Sequence, residues 1–111
     1  ITHNSTKEIK NCLDLVQQKL RKNGRLICID WFSTHHFEYK NGKKTDDPFT
    51  KTNYKTGRFK KVGKVHFSNK KHLLNLFKNF KIETLDEKII KSKIPNNKEN
   101  SAVWNVVTQK R

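Results

Sequence analysis

Residues 25–32, with the sequence Arg-Leu-Ile-Cys-Ile-Asp-Trp-Phe, constrain the fold more than any other segment. Their nearly continuous apolar run is too short for a buried helix. It is typical of a β-strand whose two faces are both covered by other elements. We therefore expect an α/β fold in which residues 25–32 form such a strand.

An amphipathic helix is predicted immediately before this strand. Ser5 and Glu8 form a capping box, in which each side chain accepts a hydrogen bond from a free amide of the first turn. Apolar residues then recur at helical spacing, namely Ile9, Leu13, Val16 and Leu20. We expect a helix over about residues 6–22, with Gly24 as its left-handed stop. A helix that enters a covered strand through a tight turn is typical of α/β proteins.

Residues 33–66 show no sustained period of apolar residues and contain Gly42, Pro48, Gly57 and Gly63. We expect a long loop here, and loops of this length in compact domains are usually functional or disordered. Aromatic residues argue against disorder. They either line a pocket as a lid or hold the loop down, and the second role is favoured.

Three further elements are predicted after the loop. Ser68 is expected to cap a second helix, and residues 81–93 are expected to form a long strand. Pro95-Asn96-Asn97 opens a polar turn, and residues 102–107 form a closing strand in which Trp104 is a core residue. The last two strands form an antiparallel hairpin. The inner face of the second helix is expected to comprise Leu73, Leu74, Phe77 and Phe80.

The formal net charge is +15, and residues 41–81 carry twelve Lys and Arg against two acidic residues. Such a segment is either an electrostatic footprint for phosphates or a surface that lysine solvates. Lysine greatly outnumbers arginine, although arginine is preferred for bidentate phosphate contacts. The composition therefore favours a solvated lysine surface.

Composition also bears on the compartment. No apolar run approaches the ~20 residues of a membrane span, and no segment has the order of a signal peptide. Cys12 and Cys28 have apolar neighbours, which favours free thiols in a reducing compartment over a disulfide. We expect a cytoplasmic protein without a membrane partner.

The chain is expected to be part of a larger assembly. Apolar strands at 25–32 and 102–107 cannot both be covered by a three-stranded sheet and two helices, and bare apolar edges are an aggregation hazard. The sequence also contains no methionine. We expect a missing N-terminal half, or a partner subunit, that covers the exposed sheet edge.

Several motifs, in this order, resemble class I S-adenosylmethionine-dependent methyltransferases. Residues 24–34, Gly-Arg-Leu-Ile-Cys-Ile-Asp-Trp-Phe-Ser-Thr, resemble that family's fifth strand. Residues 1–9 look like the segment after its fourth strand, and residues 63–77 are similar to the His-Phe-x-Ser entry to its last helix. Residues 81–85 and 101–107 resemble its sixth strand and its seventh, which inserts antiparallel between the fifth and sixth.

This resemblance implies the C-terminal part of a Rossmann-like methyltransferase sheet, in the order helix-strand-loop-helix-strand-strand. Residues 1–111 would be the C-terminal half of a methyltransferase-like domain, with residues 33–66 as a long basic loop on the substrate side. The cofactor implied is S-adenosyl-L-methionine, but the chain has no G-x-G loop, so no cofactor-binding residue is assigned. The implied substrate is a small molecule, and the chain alone is expected to be inactive.

The same resemblance places the segment after residues 25–32 beside the substrate pocket. Asp30, Trp31, Ser33, His35 and His66 are the candidate substrate-binding residues, and His35 is also the candidate base. The alternative is that these residues have structural roles only. Asp30 would then cap a turn, the histidines at 35 and 36 would be solvated, and His66 would brace the loop. The adjacent histidines at 35 and 36 are not expected to bind a metal, because neighbouring strand residues point in opposite directions.

A function from another class remains open. A non-enzymatic basic module would bind RNA or another polyanion through residues 41–81, with aromatic rings available to stack on bases. The regular α/β order of elements favours the methyltransferase.

Overall fold

The computed structural model describes residues 1–94 and 99–111. The helices are α1 (Thr6–Lys19), a 3₁₀-helix (Phe37–Lys40) and α2 (Lys70–Leu76). The strands are β1 (Arg25–Phe32), β2 (Lys43–Lys44), β3 (Thr50–Thr52), β4 (Val65–His66), β5 (Phe80–Ile90) and β6 (Ser101–Lys110). The predicted turn at residues 95–97 lies outside the described residues.

The strands form two three-stranded antiparallel sheets. In the larger sheet β6 lies between β1 and β5 and is antiparallel to both, so β1 and β5 run parallel to each other. The smaller sheet has the order β2-β3-β4. The predicted antiparallel pairing of the last two strands is confirmed, as is a mixed α/β architecture.

Local sequence explains the start and end of α1. The capping box is formed: Glu8 N donates to Ser5 Oγ at 3.3 Å, and Ser5 N donates to Glu8 Oε1 at 2.9 Å. The helix ends at Lys19, three residues earlier than predicted, and Asn23 rather than Gly24 takes the left-handed conformation (φ 65°). Gly24 is needed for a different reason, because a Cβ there would lie 2.8 Å from the Arg21 carbonyl oxygen.

The prediction of a loop without secondary structure over residues 33–66 is wrong. This segment contains the 3₁₀-helix and all three strands of the smaller sheet. The strands have two or three residues each, which is too short to produce a periodic apolar pattern. Their stability comes from a separate apolar cluster, formed by Phe32, Tyr54, Phe59, Val65 and Phe67.

The second helix is shorter than predicted, and its cap is different. Asn69, not Ser68, is the N-cap, and its side chain accepts a hydrogen bond from His72 N at 2.8 Å. Leu74 is 45% exposed rather than on the inner face, and Phe80 begins β5. Ser68 is buried instead, and its side chain accepts a hydrogen bond from Trp31 within the core.

The main core lies between the two helices and one face of the larger sheet. Ile9 and Leu13 of α1 pack there with Trp31, Leu73, Phe77 and Trp104. Trp104 is 6% exposed, which confirms it as a core residue. Cys12 and Cys28 are free thiols.

Within the described residues, the outer face of β1 and most of its outer edge are bare, and only at the end of the strand does the Phe32 carbonyl accept from Ser68 N at 2.9 Å. Ile27 and Ile29 are 61% and 70% exposed, so the prediction that this strand is covered on both faces does not hold within this part of the chain. The strand pairs with β6 on one side, and no described strand pairs with its other edge. No helix of the described residues is both long enough and apolar enough to cross a bilayer.

Two leucines of α1 provide a matched test of this packing. Leu13 is 2% exposed and Leu15 is 58% exposed. We expect Leu13→Ala to lower the free energy of unfolding by about 2–5 kcal/mol, because it leaves a cavity in the main core. Leu15→Ala is expected to change it by less than about 0.5 kcal/mol. Urea titration followed by circular dichroism measures both, and equal effects would contradict the assigned helix face.

Candidate functional site

A β-bulge in β1 orients the residues of the candidate site. Cys28 pairs with Val106 and Trp31 pairs with Trp104, so two residues of β1 lie opposite Asn105 alone. Asp30, in the bulge, has a positive φ of 56°, and its amide donates to Asn105 Oδ1 at 3.1 Å. The extra residue reverses the alternation of side chains. As a result Cys28 and Trp31, three positions apart, both reach the main core.

Beyond the bulge, three polar side chains meet, and we call them the Ser33–His35–Glu87 cluster. Ser33 Oγ donates to Glu87 Oε2 at 2.5 Å. His35 Nδ1 lies 2.7 Å from the same carboxylate oxygen, and the His35 amide donates to Ser33 Oγ at 3.1 Å. Two predicted site residues, Ser33 and His35, are therefore brought together by a carboxylate that the sequence analysis did not identify.

The cluster lies toward the carboxyl ends of the two parallel strands β1 and β5. This is the edge at which α/β sheets commonly bind ligands. Exposure is graded across the cluster: Ser33 is buried, the Glu87 side chain is 19% exposed and the His35 side chain is 64% exposed. The imidazole therefore faces solvent, while the carboxylate that holds it is shielded.

Hydrogen bonding defines what the cluster can do chemically. A carboxylate only accepts hydrogen bonds, so the proton between His35 and Glu87 is on Nδ1. Among residues 1–94 and 99–111, Nε2 of His35 has no hydrogen-bond partner. A neutral His35 therefore presents a free lone pair to solvent at Nε2, which is the arrangement a base requires.

The other three predicted site residues lie apart from this cluster. Asp30 is exposed on the bulge. Trp31 is 2% exposed, and its Nε1 donates to Ser68 Oγ at 3.0 Å. His66 is fully buried, with its ring edge-on to Trp31 at 6.1 Å between centroids. In this structure Trp31 and His66 pack inside the protein, and the contact of His66 with Thr50 braces residues 33–66, which we call the middle segment.

A chain of buried hydrogen bonds determines which nitrogen of His66 carries the proton. Thr50 Oγ1 donates to Asp47 Oδ2 at 2.8 Å, so this hydroxyl accepts from His66 Nδ1 at 3.3 Å. Nε2 of His66 is then the acceptor for Ser68 Oγ at 3.0 Å and for His72 Nε2 at 3.2 Å. Protonation at this nitrogen would set it against the N–H of His72, and the hydroxyl of Ser68 would have to rotate and become an acceptor.

The charged states of these buried groups follow from their surroundings. Burial, with a smaller contribution from His72, lowers the pKa of His66 to about 4 against the opposing effect of Asp47. Burial and the nearby Arg58 lower the pKa of His36 to about 4. Burial raises the pKa of Asp47, but hydrogen bonds from Thr6 and its other partners prevail and bring it to about 2.

His36 is buried among aromatic rings, whereas the neighbouring His35 side chain faces solvent. Its ring stacks on Phe37 at 5.0 Å, and its Nδ1 accepts from Glu38 N at 3.1 Å. The part of the chain that the structure describes contains no group of three or more metal-ligating side chains.

Glu87 could not be identified from the sequence because its position depends on strand register. It follows Asp86 in a strand that also contains Ile82 and Leu85, so alternation alone does not select which acid faces the helices. Its partner across the sheet is Trp104, which in turn pairs with Trp31. The position of Glu87 beside the end of β1 is therefore apparent only when β1, β6 and β5 are aligned.

Comparisons with known proteins bear on the fold. No protein-family model and no curated protein matches the chain. Among solved structures, the crystal structure of a SAM-dependent methyltransferase from Methanosarcina mazei matches with a TM-score of 0.68 and 16% sequence identity. The match covers 96% of this chain and 52% of that chain, so the chain spans about half the length of that methyltransferase. At this identity the likeness shows the fold, and a methyltransferase-like fold is confirmed.

The buried histidines predict how stability depends on pH. An unfolded histidine has a pKa of about 6.5, so between pH 6.5 and 4 the unfolded state binds more protons than the folded state. The free energy of unfolding therefore falls as the pH falls through this window, by about 1–2 kcal/mol per buried histidine between pH 7 and 5. Loss from Asp47 follows below about pH 4.

Urea titrations at a series of pH values measure this effect. His36→Phe keeps an aromatic ring in the cluster and is expected to reduce the loss between pH 7 and 5. His3→Gln, at an exposed position, is the control and should leave the loss unchanged. Stability that does not vary between pH 7 and 4.5 would contradict the assignment of neutral buried histidines.

Proposed function

We propose that this chain forms the substrate side, and the C-terminal half, of a class I S-adenosylmethionine-dependent methyltransferase that acts on a small molecule. The observation that carries the proposal is the Ser33–His35–Glu87 cluster at the carboxyl ends of β1 and β5. Support comes from the methyltransferase-like fold and from the position of β6 between two parallel strands.

The described residues do not fit the cofactor S-adenosylmethionine. Its expected cradle is a glycine-rich turn between a strand and a helix. The two glycines with positive φ, Gly57 and Gly63, lie in the middle segment, and β1 is followed by Ser33 and Thr34 without a glycine. The proposal therefore assigns the cofactor site to the other half of the fold, outside this chain.

The role of this chain is to bind and orient the substrate. His35 offers Nε2 to a donor group of the substrate, and Glu87 holds the ring in place from its shielded side. Ser33 completes the arrangement by bonding both partners. Such positioning lowers the entropic barrier to reaction.

The bare side of β1 is the proposed docking surface for the cofactor half. Ile27 and Ile29 expose apolar area there, and the outer edge of the strand has unpaired backbone groups within the described residues. A surface cavity of about 240 Å³ lies beside them, lined in part by Ile1 and Leu26. A parallel strand from the rest of the fold would cover the edge and the apolar side chains together.

The alternative, a basic module that binds RNA or another polyanion, has one observation in its favour. The lysines of β2, Lys43 and Lys44, are exposed, and residues 41–81, with twelve Lys and Arg against two acidic residues, carry most of the net charge. However, Tyr54, Phe59 and Phe67 are buried, so these rings are not presented for stacking on bases. The free cysteines fit the cytoplasm in either case.

Calorimetry and a methyl-transfer assay test the proposal. We expect the 111-residue chain alone to show no binding of S-adenosylmethionine. Co-expression with a polypeptide that carries the proposed cofactor half should confer cofactor binding and transfer of labelled methyl groups to a member of a small-molecule panel. In that complex His35→Ala should lower kcat by about 10²–10⁴-fold.

The controls separate the two functions. His3→Ala, at an exposed histidine outside the cluster, should leave kcat unchanged. Tight cofactor binding by the chain alone would show that the cofactor site is misplaced. RNA binding with a steep salt dependence, together with no methyl transfer in the complex, would overturn the proposal in favour of the basic module.

A further inference from the structure

We propose that Glu87 is a positioning residue that holds His35 with Nε2 as a hydrogen-bond acceptor, so that the site takes a neutral hydroxyl group as its ligand. This inference rests on the proposed function, because it names the substrate class of the same site. It is carried by the geometry around one carboxylate oxygen.

Glu87 Oε2 receives two hydrogen bonds from one short segment. Ser33 Oγ donates at 2.5 Å and His35 Nδ1 at 2.7 Å. Because the hydroxyl proton of Ser33 is directed at the carboxylate, Ser33 Oγ is free to accept from the His35 amide, as it does at 3.1 Å. Backbone and ring of His35 are thus both fixed, and the ring is held at one nitrogen only.

Ser33 is not the reacting group in this arrangement. The hydroxyl of Ser33 is buried and donates its hydrogen bond to Glu87. The same oxygen accepts a hydrogen bond from the amide of His35. The group that faces outward is the imidazole of His35, with a 64% exposed side chain. A ligand therefore meets Nε2 of His35, while the oxygen that fixes the ring remains shielded behind it.

Charge selects the class of ligand. The chain carries a net charge of +15, which opposes the approach of a cationic group such as an ammonium. An anion would be attracted by this field, but a carboxylate or phosphate dianion has no proton to donate to Nε2. A neutral hydrogen-bond donor satisfies both conditions, because it donates to Nε2 and adds no charge, and a hydroxyl is the member of this class that we propose.

The role of Glu87 is measurable without any cofactor. In nitrogen-15 NMR spectra of the 111-residue chain, at a pH where His35 is neutral, the wild type should show His35 in a single Nδ1–H tautomer. Glu87→Ala should shift the ring toward a mixture of tautomers. Glu87→Gln retains an oxygen acceptor and should restore the wild-type tautomer in part.

A second glutamate of β5 provides the matched control. Glu83 accepts from Arg25 at 2.9 Å at another position along the strand. Glu83→Ala should leave the tautomer of His35 unchanged. A wild-type His35 that already exchanges between tautomers, or one that Glu87→Ala does not alter, would overturn the positioning role.

Three probes of similar size test the ligand class in the same spectra. Phenol carries a neutral hydroxyl, anisole has the hydroxyl methylated and benzoate is an anion. We expect phenol to shift the Nε2 resonance of His35 at millimolar concentration, with no shift from anisole or benzoate, and a loss of the phenol effect in Glu87→Ala. An equal or larger shift with benzoate would overturn the hydroxyl assignment.

Failure of this inference is distinguishable from failure of the proposed function. A fixed tautomer and selective phenol binding, without methyl transfer in the restored complex, would support the site and sink the methyltransferase. Methyl transfer that is unaffected by Glu87→Ala would support the methyltransferase and overturn the positioning role of Glu87, because catalysis would then proceed without it.

Discussion

The bulge at Ile29 and Asp30 is the constraint on which the rest of the structure depends. A regular strand would place Cys28 and Trp31 on opposite faces, and one of them would leave the core. The extra residue places both inside, and Ser33 then follows Trp31 onto the same face, toward Glu87. The local cost is a positive φ at Asp30, whose amide is satisfied by the Asn105 side chain. A backbone irregularity thus sets the core and the candidate site together.

Ser68 is the second point at which separate elements are joined. Its Oγ accepts from Trp31 of β1 and contacts His66 of β4, and its carbonyl accepts from Trp104 of β6 at 2.8 Å. Its amide donates to the Phe32 carbonyl at 2.9 Å. Because every one of these groups is buried, each lost bond would leave an unsatisfied polar atom in the core, at a cost of about 1–3 kcal/mol. Ser68, which the sequence pattern assigns to a helix cap, therefore joins the two sheets instead.

What could be predicted from the sequence follows from the range of each interaction. The capping box of α1 and its apolar stripe with Ile9 and Leu13 are set by neighbours within a few residues, and both are confirmed. The antiparallel pairing of β5 and β6, two strands that are consecutive in sequence, is also confirmed. The fold of the middle segment was not predictable, because Tyr54 and Phe59 stabilise strands that are too short to leave a pattern. Glu87 was missed for the same reason, since its contact with Ser33 spans 54 residues and depends on the alignment of three strands. Long-range register has no local signal in the sequence.

The bare side of β1 and the Ser33–His35–Glu87 cluster at its carboxyl end both bear on how a ligand could be enclosed. A site at the end of parallel strands needs neighbours on both sides to enclose a ligand. On one side β6 and β5 supply Glu87, whereas on the other side Ile27 and Ile29 are exposed and no described strand is paired. An exposed apolar edge is unfavourable by itself and becomes favourable when another strand covers it. At the carboxyl end of β1 the outer edge is already occupied, since the Phe32 carbonyl accepts a hydrogen bond from Ser68 N. The docking surface of the proposed function is therefore the stretch around Ile27 and Ile29, before the candidate site begins.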